Sequence, residues 1–345
     1  MNKDLSNQLR IGIELGTSKT AVQSNRGAKA MFPSVVGYPK DLIGAQLLNG
    51  TKAIGEEALS KQSSLDIHYP LEAGVIKATE MDSARIILEH AVNLAQPKEH
   101  DDISIVIGVP ARTSFNHKED LLKLARDLAG TTLVVSEPFM VAYGLGKLNH
   151  AIVIDIGAGT TDICVLTGKI PEDEEQLTIA QGGDYIDHIL EKLISEHFPE
   201  VQISKKQVQS IKEQHAFVGK PEKSVIVTLR VEGKPQQFDL TREIRTACET
   251  LIEPILDCME TLLQRIDPED QDDTLNNIYL SGRCSKIKGL DKVLQEHLKD
   301  YGTVYVTGVE DPDFAGCHGA LKIAMEVPVE NWNELGEVIE GGVDA

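Results

Sequence analysis

Two stretches of this chain run through the same alternation of apolar and polar positions. IGIELGTSKTAV (11–22) and VIDIGAGTTDICV (153–165) each begin as an apolar strand and then meet an acid. An apolar residue, a glycine and small or hydroxylated residues follow before the chain turns apolar again. Aligning Glu14 with Asp155 puts Gly16 on Gly157 and Thr20 on Thr161, at an offset of 141 residues. An unusual hairpin repeated at that distance predicts two related domains facing each other. Elsewhere the helical period predicts amphipathic helices over 81–96, 117–129, 138–147, 184–198 and 241–265. Short apolar runs predict strands over 103–109, 132–136, 223–230 and 276–281. Pro254 is expected to kink or divide the longest helix. VIVTLRVEGKPQQFDL (225–240) reads as a hairpin turning at Glu232-Gly233, part of an inserted subdomain. Strands mixed with helices in this way predict an α/β protein with mixed sheets.

The 345 residues suit two domains of ordinary size, and a hydrophobic content of 41% is that of a globular chain. No stretch approaches the roughly 20 apolar residues that span a bilayer. MNKDLSNQLR (1–10) has neither the apolar segment nor the cleavage site of a secretory signal, so a cytoplasmic location is expected. Cys164, Cys248, Cys258, Cys284 and Cys317 are scattered and form no Cys-x-x-Cys pair, which argues against a disulfide framework or zinc site. Most of them read as small buried hydrophobes. No two histidines lie four apart with a glutamate between them, so a zinc hydrolase finds no support. The formal net charge of -20 repels phosphate backbones and anionic lipid. Neither nucleic acid nor direct membrane insertion is therefore expected. The acidic runs PEDEEQ (171–176) and DPEDQDD (267–273) read as solvated loops.

The hairpins carry the candidate chemistry. Backbone N–H groups of a tight glycine turn can point into one concavity and bind an anion. Gly157 and Gly159 would permit that turn and admit a ligand without a Cβ in the way, and Thr160 and Thr161 add hydroxyls. Asp155 and Asp162 would oppose a phosphate unless a cation lay between them. Magnesium is commonly held by one or two carboxylates together with substrate phosphates. Two such hairpins could clamp a nucleotide triphosphate from both sides.

IELGTSKTAV, SEPFMVAYGLG, IDIGAGTTDI, IYLSGRCSKIKGL and AGCHGALKIA occur in the order of the motifs of the actin, Hsp70 and sugar-kinase superfamily. They resemble its first phosphate loop, first connecting helix, second phosphate loop, adenosine segment and second connecting helix, and cover residues 11 to about 324. SVVGYPKDLIG (34–44), IGVPARTS (107–114) and VVSEPFMVAYGL (134–145) are most similar to the magnetosome actin-like family. The resemblance implies an actin-like α/β fold of two related domains facing a central nucleotide cleft, each with an inserted subdomain. Residues 1–32, 70–150 and 320–345 would form the first core domain and 33–69 its insertion. Residues 151–181 with 247–319 would form the second core domain and 182–246 its insertion.

It further implies ATP or ADP with Mg2+ as cofactors and site residues that follow the motifs. Asp155 resembles the acid near the magnesium and its waters, with Glu14 as its counterpart in the first hairpin. Gly16, Thr17, Ser18 and Lys19 resemble the first phosphate turn, although the family pattern does not fix a lysine at position 19. Gly157, Gly159, Thr160 and Thr161 resemble the second. Glu137, ahead of Pro138, resembles the acid that orients attacking water; a glutamate favoured by the helix dipole is the alternative. Gly282 and Gly289, with Arg283 beside the first, resemble the residues that admit adenosine. IKEQHAFVG (211–219) resembles a segment that touches the nucleotide, which would place Lys212 and Glu213 there; a solvated helix face is the competing reading.

Two positions depart from the pattern: Glu14 where aspartate is usual, and Ser281-Gly282-Arg283 where consecutive glycines are common. Both put bulk near the nucleotide and imply slow or altered ATP use. An Hsp70 would need a substrate domain, and the 56 residues after Gly289 are too few for one. A sugar kinase would need a base that no motif supplies. The resemblance therefore implies a cytoplasmic ATPase that polymerises with itself and, through adaptor proteins, organises magnetosome organelles. A filament scaffold with little turnover and a small-molecule kinase of the same fold are the alternatives.

Overall fold

The computed structural model describes residues 7–48 and 50–341. Residues 1–6 and 342–345, at the ends of the expected first core domain, lie outside the described residues, as does Asn49 in its expected insertion. The chain divides into two units, Met1–Leu148 with Asp313–Ala345, and Asn149–Pro312.

The first unit is built on a six-stranded sheet in the order Glu337–Glu340, Thr131–Ser136, Asp102–Val109, Gln8–Leu15, Lys19–Ser24, Lys29–Pro33. Its middle strands, Gln8–Leu15, Asp102–Val109 and Thr131–Ser136, run parallel and the outer ones antiparallel. Leu9, Ile11, Ile13, Ile105 and Ile107 are fully buried, as parallel strands covered on both faces require. The helix Ala315–Glu326 lies against the first strand at Gly12, where a Cβ would collide with the Cys317 carbonyl and the Leu321 nitrogen. It touches the helix Glu137–Leu145 at a second glycine contact, Gly144 against Gly319.

The second unit repeats the plan on five strands in the order Gln176–Ile179, Thr161–Thr167, Asn149–Ile156, Ile278–Ser281, Val306–Gly308. Both sheets are mixed, as the sequence predicts. A smaller three-stranded sheet contains the hairpin Ile226–Val231 and Lys234–Asp239. Its turn residues Glu232 and Gly233 have φ of 49° and 80°, the twist that two-residue hairpins favour.

Most predicted elements appear within a few residues of their expected ends. The 241–265 pattern divides into Thr241–Glu249 and Ile252–Leu263, ahead of Pro254 rather than at it. A proline ring collides with the carbonyl four residues back, here that of Thr250, and is tolerated in a first helical turn. DPEDQDD is not a loop. It forms most of the helix Pro268–Leu275, started by a proline and by Glu269 and Asp270 in the first turn, where the helix dipole favours acids. Among the described residues, no helix is long and apolar enough to cross a membrane.

Candidate functional site

The two hairpins close with one geometry. Leu15 faces Thr20 and Glu14 faces Ala21; Ile156 faces Thr161 and Asp155 faces Asp162. The repeat offset carries the first register onto the second, from the Ile11–Ser24 pair to the Ile152–Val165 pair. Each first strand also lies beside a parallel one, with Glu14 next to Gly108 and Asp155 next to Ser281. A chance likeness of turns would not extend to the neighbouring strands.

Asp155 is only 5% exposed. Burial pushes its carboxyl up to about 7, reinforced by the charge of Asp162 across the hairpin and opposed by Ser281 alongside. Asp162 is enclosed as well, and the Thr178 hydroxyl donates to it at 2.6 Å. Two acids in so little water suit a cation. Among the described residues, no three His, Cys, Asp or Glu side chains converge as a metal cage. Magnesium held by Asp155 would complete its shell with water and phosphate oxygens.

The turn itself is braced from outside. The Gly157 N–H donates to the Thr160 carbonyl at 2.9 Å. The Gly157 carbonyl accepts the Gly183 N–H at 3.0 Å, and the Ala158 carbonyl accepts the Asp184 N–H at 2.9 Å. Gly183 and Asp184 open the helix Gly183–His197. Among the described residues, the N–H groups of Ala158, Gly159 and Thr160 donate to no turn or loop carbonyl, which suits an anion nest. The Thr161 hydroxyl, expected at the phosphates, instead donates to the Gln181 carbonyl at 2.8 Å.

The backbone of the turn does not itself demand glycine at Gly157. Neither Gly157 nor Gly159 has a positive φ, and a Cβ on Gly157 would meet the Thr160 carbonyl at an ordinary 3.4 Å. The steric demand falls on Gly182, where a Cβ would come within 2.6 Å of the Gly157 carbonyl. Gly282 is also under constraint: its φ is +73°, and a Cβ there would come within 2.6 Å of Asp155 Oδ1. Gly289, at φ +82°, precedes the helix Leu290–Leu298 and packs against the Val218 carbonyl. Arg283 is half-buried beyond Gly282, and its charge holds down the Asp184 carboxyl, which burial raises.

Lys212 and Glu213 separate. Both lie on the helix Lys205–His215, where Glu213 is exposed. Lys212 is buried, so its solvated-face reading fails. Its Nζ donates to the Gly183 carbonyl and to Asp187 Oδ2, each at 2.7 Å.

In the first unit, the turn 16–19 is tied to Ser34, whose hydroxyl donates to the Gly16 carbonyl at 2.7 Å and whose N–H donates to the Ser18 carbonyl at 3.0 Å. The Thr17 hydroxyl accepts the Gly74 N–H at 2.8 Å, and Lys19 lies opposite Pro33 on the next strand. Glu14 and Glu137 flank Gly108: Glu14 lies beside it in the sheet, and Glu137 Cγ is 3.1 Å from where a Gly108 Cβ would stand. Glu137 opens its helix with Pro138 behind it. The Glu14 carboxylate reaches the start of another helix, where a Cβ on Gly316 would collide with its Oε2. Gly182, Gly183 and Asp184 lie outside the quoted motifs, and Gly316 lies in one that implies a connecting helix rather than a site. The glycine pair of QGGD, just before a helical pattern, was the available signal.

A profile of the MreB/Mbl protein family matches residues 8–330. The chain belongs to this family. The actin-like protein MamK of Paramagnetospirillum magneticum is 47% identical to it over 335 residues, 96% of each chain. The structure of a MamK double helical filament superposes with a TM-score of 0.91 at 46% identity, over 93% of this chain and 100% of that one. A non-polymerising MamK mutant bound to AMPPNP superposes with a TM-score of 0.74 at 47% identity, over 93% of this chain and 99% of that one. The fold is therefore actin-like. The MreB/Mbl match spans both hairpins and both helices that meet at Gly144 and Gly319.

Proposed function

We propose that the chain is a cytoplasmic actin-like ATPase that binds Mg-ATP, polymerises into filaments and, through adaptor proteins, organises magnetosome organelles. The observation that carries this reading is the pair of hairpins in one register, each with an acid one residue before the last of its first strand. The AMPPNP bound to one MamK relative and the filament formed by another support it. Phosphates sit against the N–H groups of Ala158, Gly159 and Thr160. Asp155 would hold magnesium, and the ion would neutralise charge on the phosphates. Glu137 orients water for in-line attack; positioning and charge do most of the catalysis. Cleavage loosens contacts between subunits, so ATP times the life of the filament.

Slow turnover is the second reading, and the placement of Glu14 favours it: its carboxylate leans on the Gly316 turn. Electron microscopy of the purified protein with and without Mg-ATP, paired with phosphate release, tests both. ATP-dependent filaments with phosphate release support an ATPase, and filaments without release support a scaffold. Absence of filaments in both conditions overturns the proposal.

A further inference from the structure

The helix Lys205–His215 reaches the phosphate turn through one buried side chain. Lys212 is 9% exposed at its side chain, and its ammonium has two partners on the first turns of the helix Gly183–His197, the Gly183 carbonyl and Asp187 Oδ2. Gly183 is built for the contact: a Cβ there would lie 3.0 Å from Lys212 Nζ and 3.0 Å from Cys284 Sγ. The N–H of that same residue holds the Gly157 carbonyl, and the next N–H holds that of Ala158. An unbroken line of hydrogen bonds thus runs from Lys212 through Gly183 to the turn.

We propose that Lys212 is a positioning residue of the phosphate site, fixing the start of the helix Gly183–His197 so that Gly183 and Asp184 hold the Gly157–Thr160 turn in its binding shape. This rests on the reading that the turn binds nucleotide phosphates. Both close acceptors of the ammonium are protein oxygens. It also sets the local charge. Asp184 and Asp187 stand on the same helix start, burial raises both carboxyls, and the Lys212 charge opposes the rise in each. Without that cation, Asp187 loses its ammonium partner and Arg283 is left to oppose the rise in Asp184. A hydrogen bond from a charged donor is worth enough that its loss costs about tenfold or more in any equilibrium it supports.

The test uses inorganic tripolyphosphate, which has the phosphates of ATP and no adenosine. Lys212→Met keeps the length of the side chain and removes the charge and the donors. Calorimetry with magnesium present should show both ATP and tripolyphosphate weakened about tenfold or more. In the nucleotide-free protein, the Gly183 and Asp184 amides should exchange hydrogen faster than in the wild type. If Lys212→Met does not fold, Lys212→Arg serves the same measurements, with both effects expected in smaller degree. A direct contact to adenosine would weaken ATP and leave tripolyphosphate unchanged, which overturns the proposal; so does unaltered binding of both. Asp155→Ala provides the separate control. If that variant binds both ligands like the wild type, the phosphate-site reading itself is wrong, whatever Lys212→Met does.

Discussion

The Glu14 carboxylate lies over the first turn of the helix Ala315–Glu326, so close to Gly316 that a Cβ there would overlap Oε2. The start of a helix is its positive end, and an acid there gains about 0.3–1 kcal/mol. The extra methylene that separates glutamate from aspartate is what lets the carboxylate reach that turn. Glu14→Asp should withdraw it toward the hairpin and speed phosphate release at matched filament mass, by as much as about 100-fold if misplacement limits the present rate. Gly316→Ala should do the same from the other side, because the nearest atoms to the new methyl belong to the Glu14 side chain rather than to backbone. Equal release rates in all three proteins would remove Glu14 from the site.

Gly12 faces the same helix with a different outcome. A Cβ there meets backbone, the Cys317 carbonyl and the Leu321 nitrogen, which cannot swing aside. Gly12→Ala should cost about 1–3 kcal/mol or more, read as a fall in melting temperature that Gly316→Ala does not show.

Asp155 sets a pH dependence of unusual sign. An unfolded aspartate titrates near 4, whereas burial holds the folded carboxyl at about 7. Between those values the folded state keeps a proton that the unfolded chain has lost, so stability from this group falls as pH rises. With chelator and no nucleotide, the wild type should lose melting temperature relative to Asp155→Asn between pH 5.5 and pH 8. Parallel changes in the two proteins would mean that Asp155 is ionised throughout.

Glu137→Ala removes a group that acts on water in the transition state and leaves ground-state binding largely intact. Phosphate release should fall on the order of 100-fold or more while ATP-dependent filaments form and persist. Light scattering and a phosphate assay on one sample separate the two. Release at the wild-type rate would assign the role elsewhere.

Arg26 and Asp101 give the opposite pH sign. The two guanidinium nitrogens of Arg26 meet the two carboxylate oxygens at 2.5 and 2.6 Å, and the Lys98 N–H adds a third donor. The guanidinium holds the Asp101 carboxyl down at about 2. Its contribution is complete above the unfolded value near 4 and is lost as pH falls toward 2. Asp101→Asn should therefore melt lower than the wild type at pH 7, with the gap narrowing below pH 4.

The repeat was legible in the sequence because it is made of chain-local features: apolar runs, an acid and a glycine at fixed spacing. Asp155 could be singled out for the same reason, whereas Glu137 is marked only by the resemblance of its Glu-Pro motif. What could not be read was the packing that sets each residue's task. Nothing local to Gly157 says that Gly182 carries the steric demand, nor that Thr17 and Thr161 spend hydroxyls on distant backbone groups. Lys212 is the clearest case. Its helix is strongly polar, and its burial depends on Gly183 and Asp187, which are remote in sequence. The helix Pro268–Leu275 was hidden by composition, since acids that suggest a loop also suit a helix start.

The second unit is one unbroken stretch, whereas the first is completed from both ends of the chain. Its sheet lacks the strand Glu337–Glu340, its first strand lacks the helix that covers Gly12, and Trp332 has not entered the core until the final segment emerges from the ribosome. Synthesis therefore delivers the middle of the chain as a foldable whole while the N-terminal part still waits for its partner segments. The second unit is thus expected to fold during translation before the first is complete, with the waiting N-terminal strands exposed to wrong pairing meanwhile.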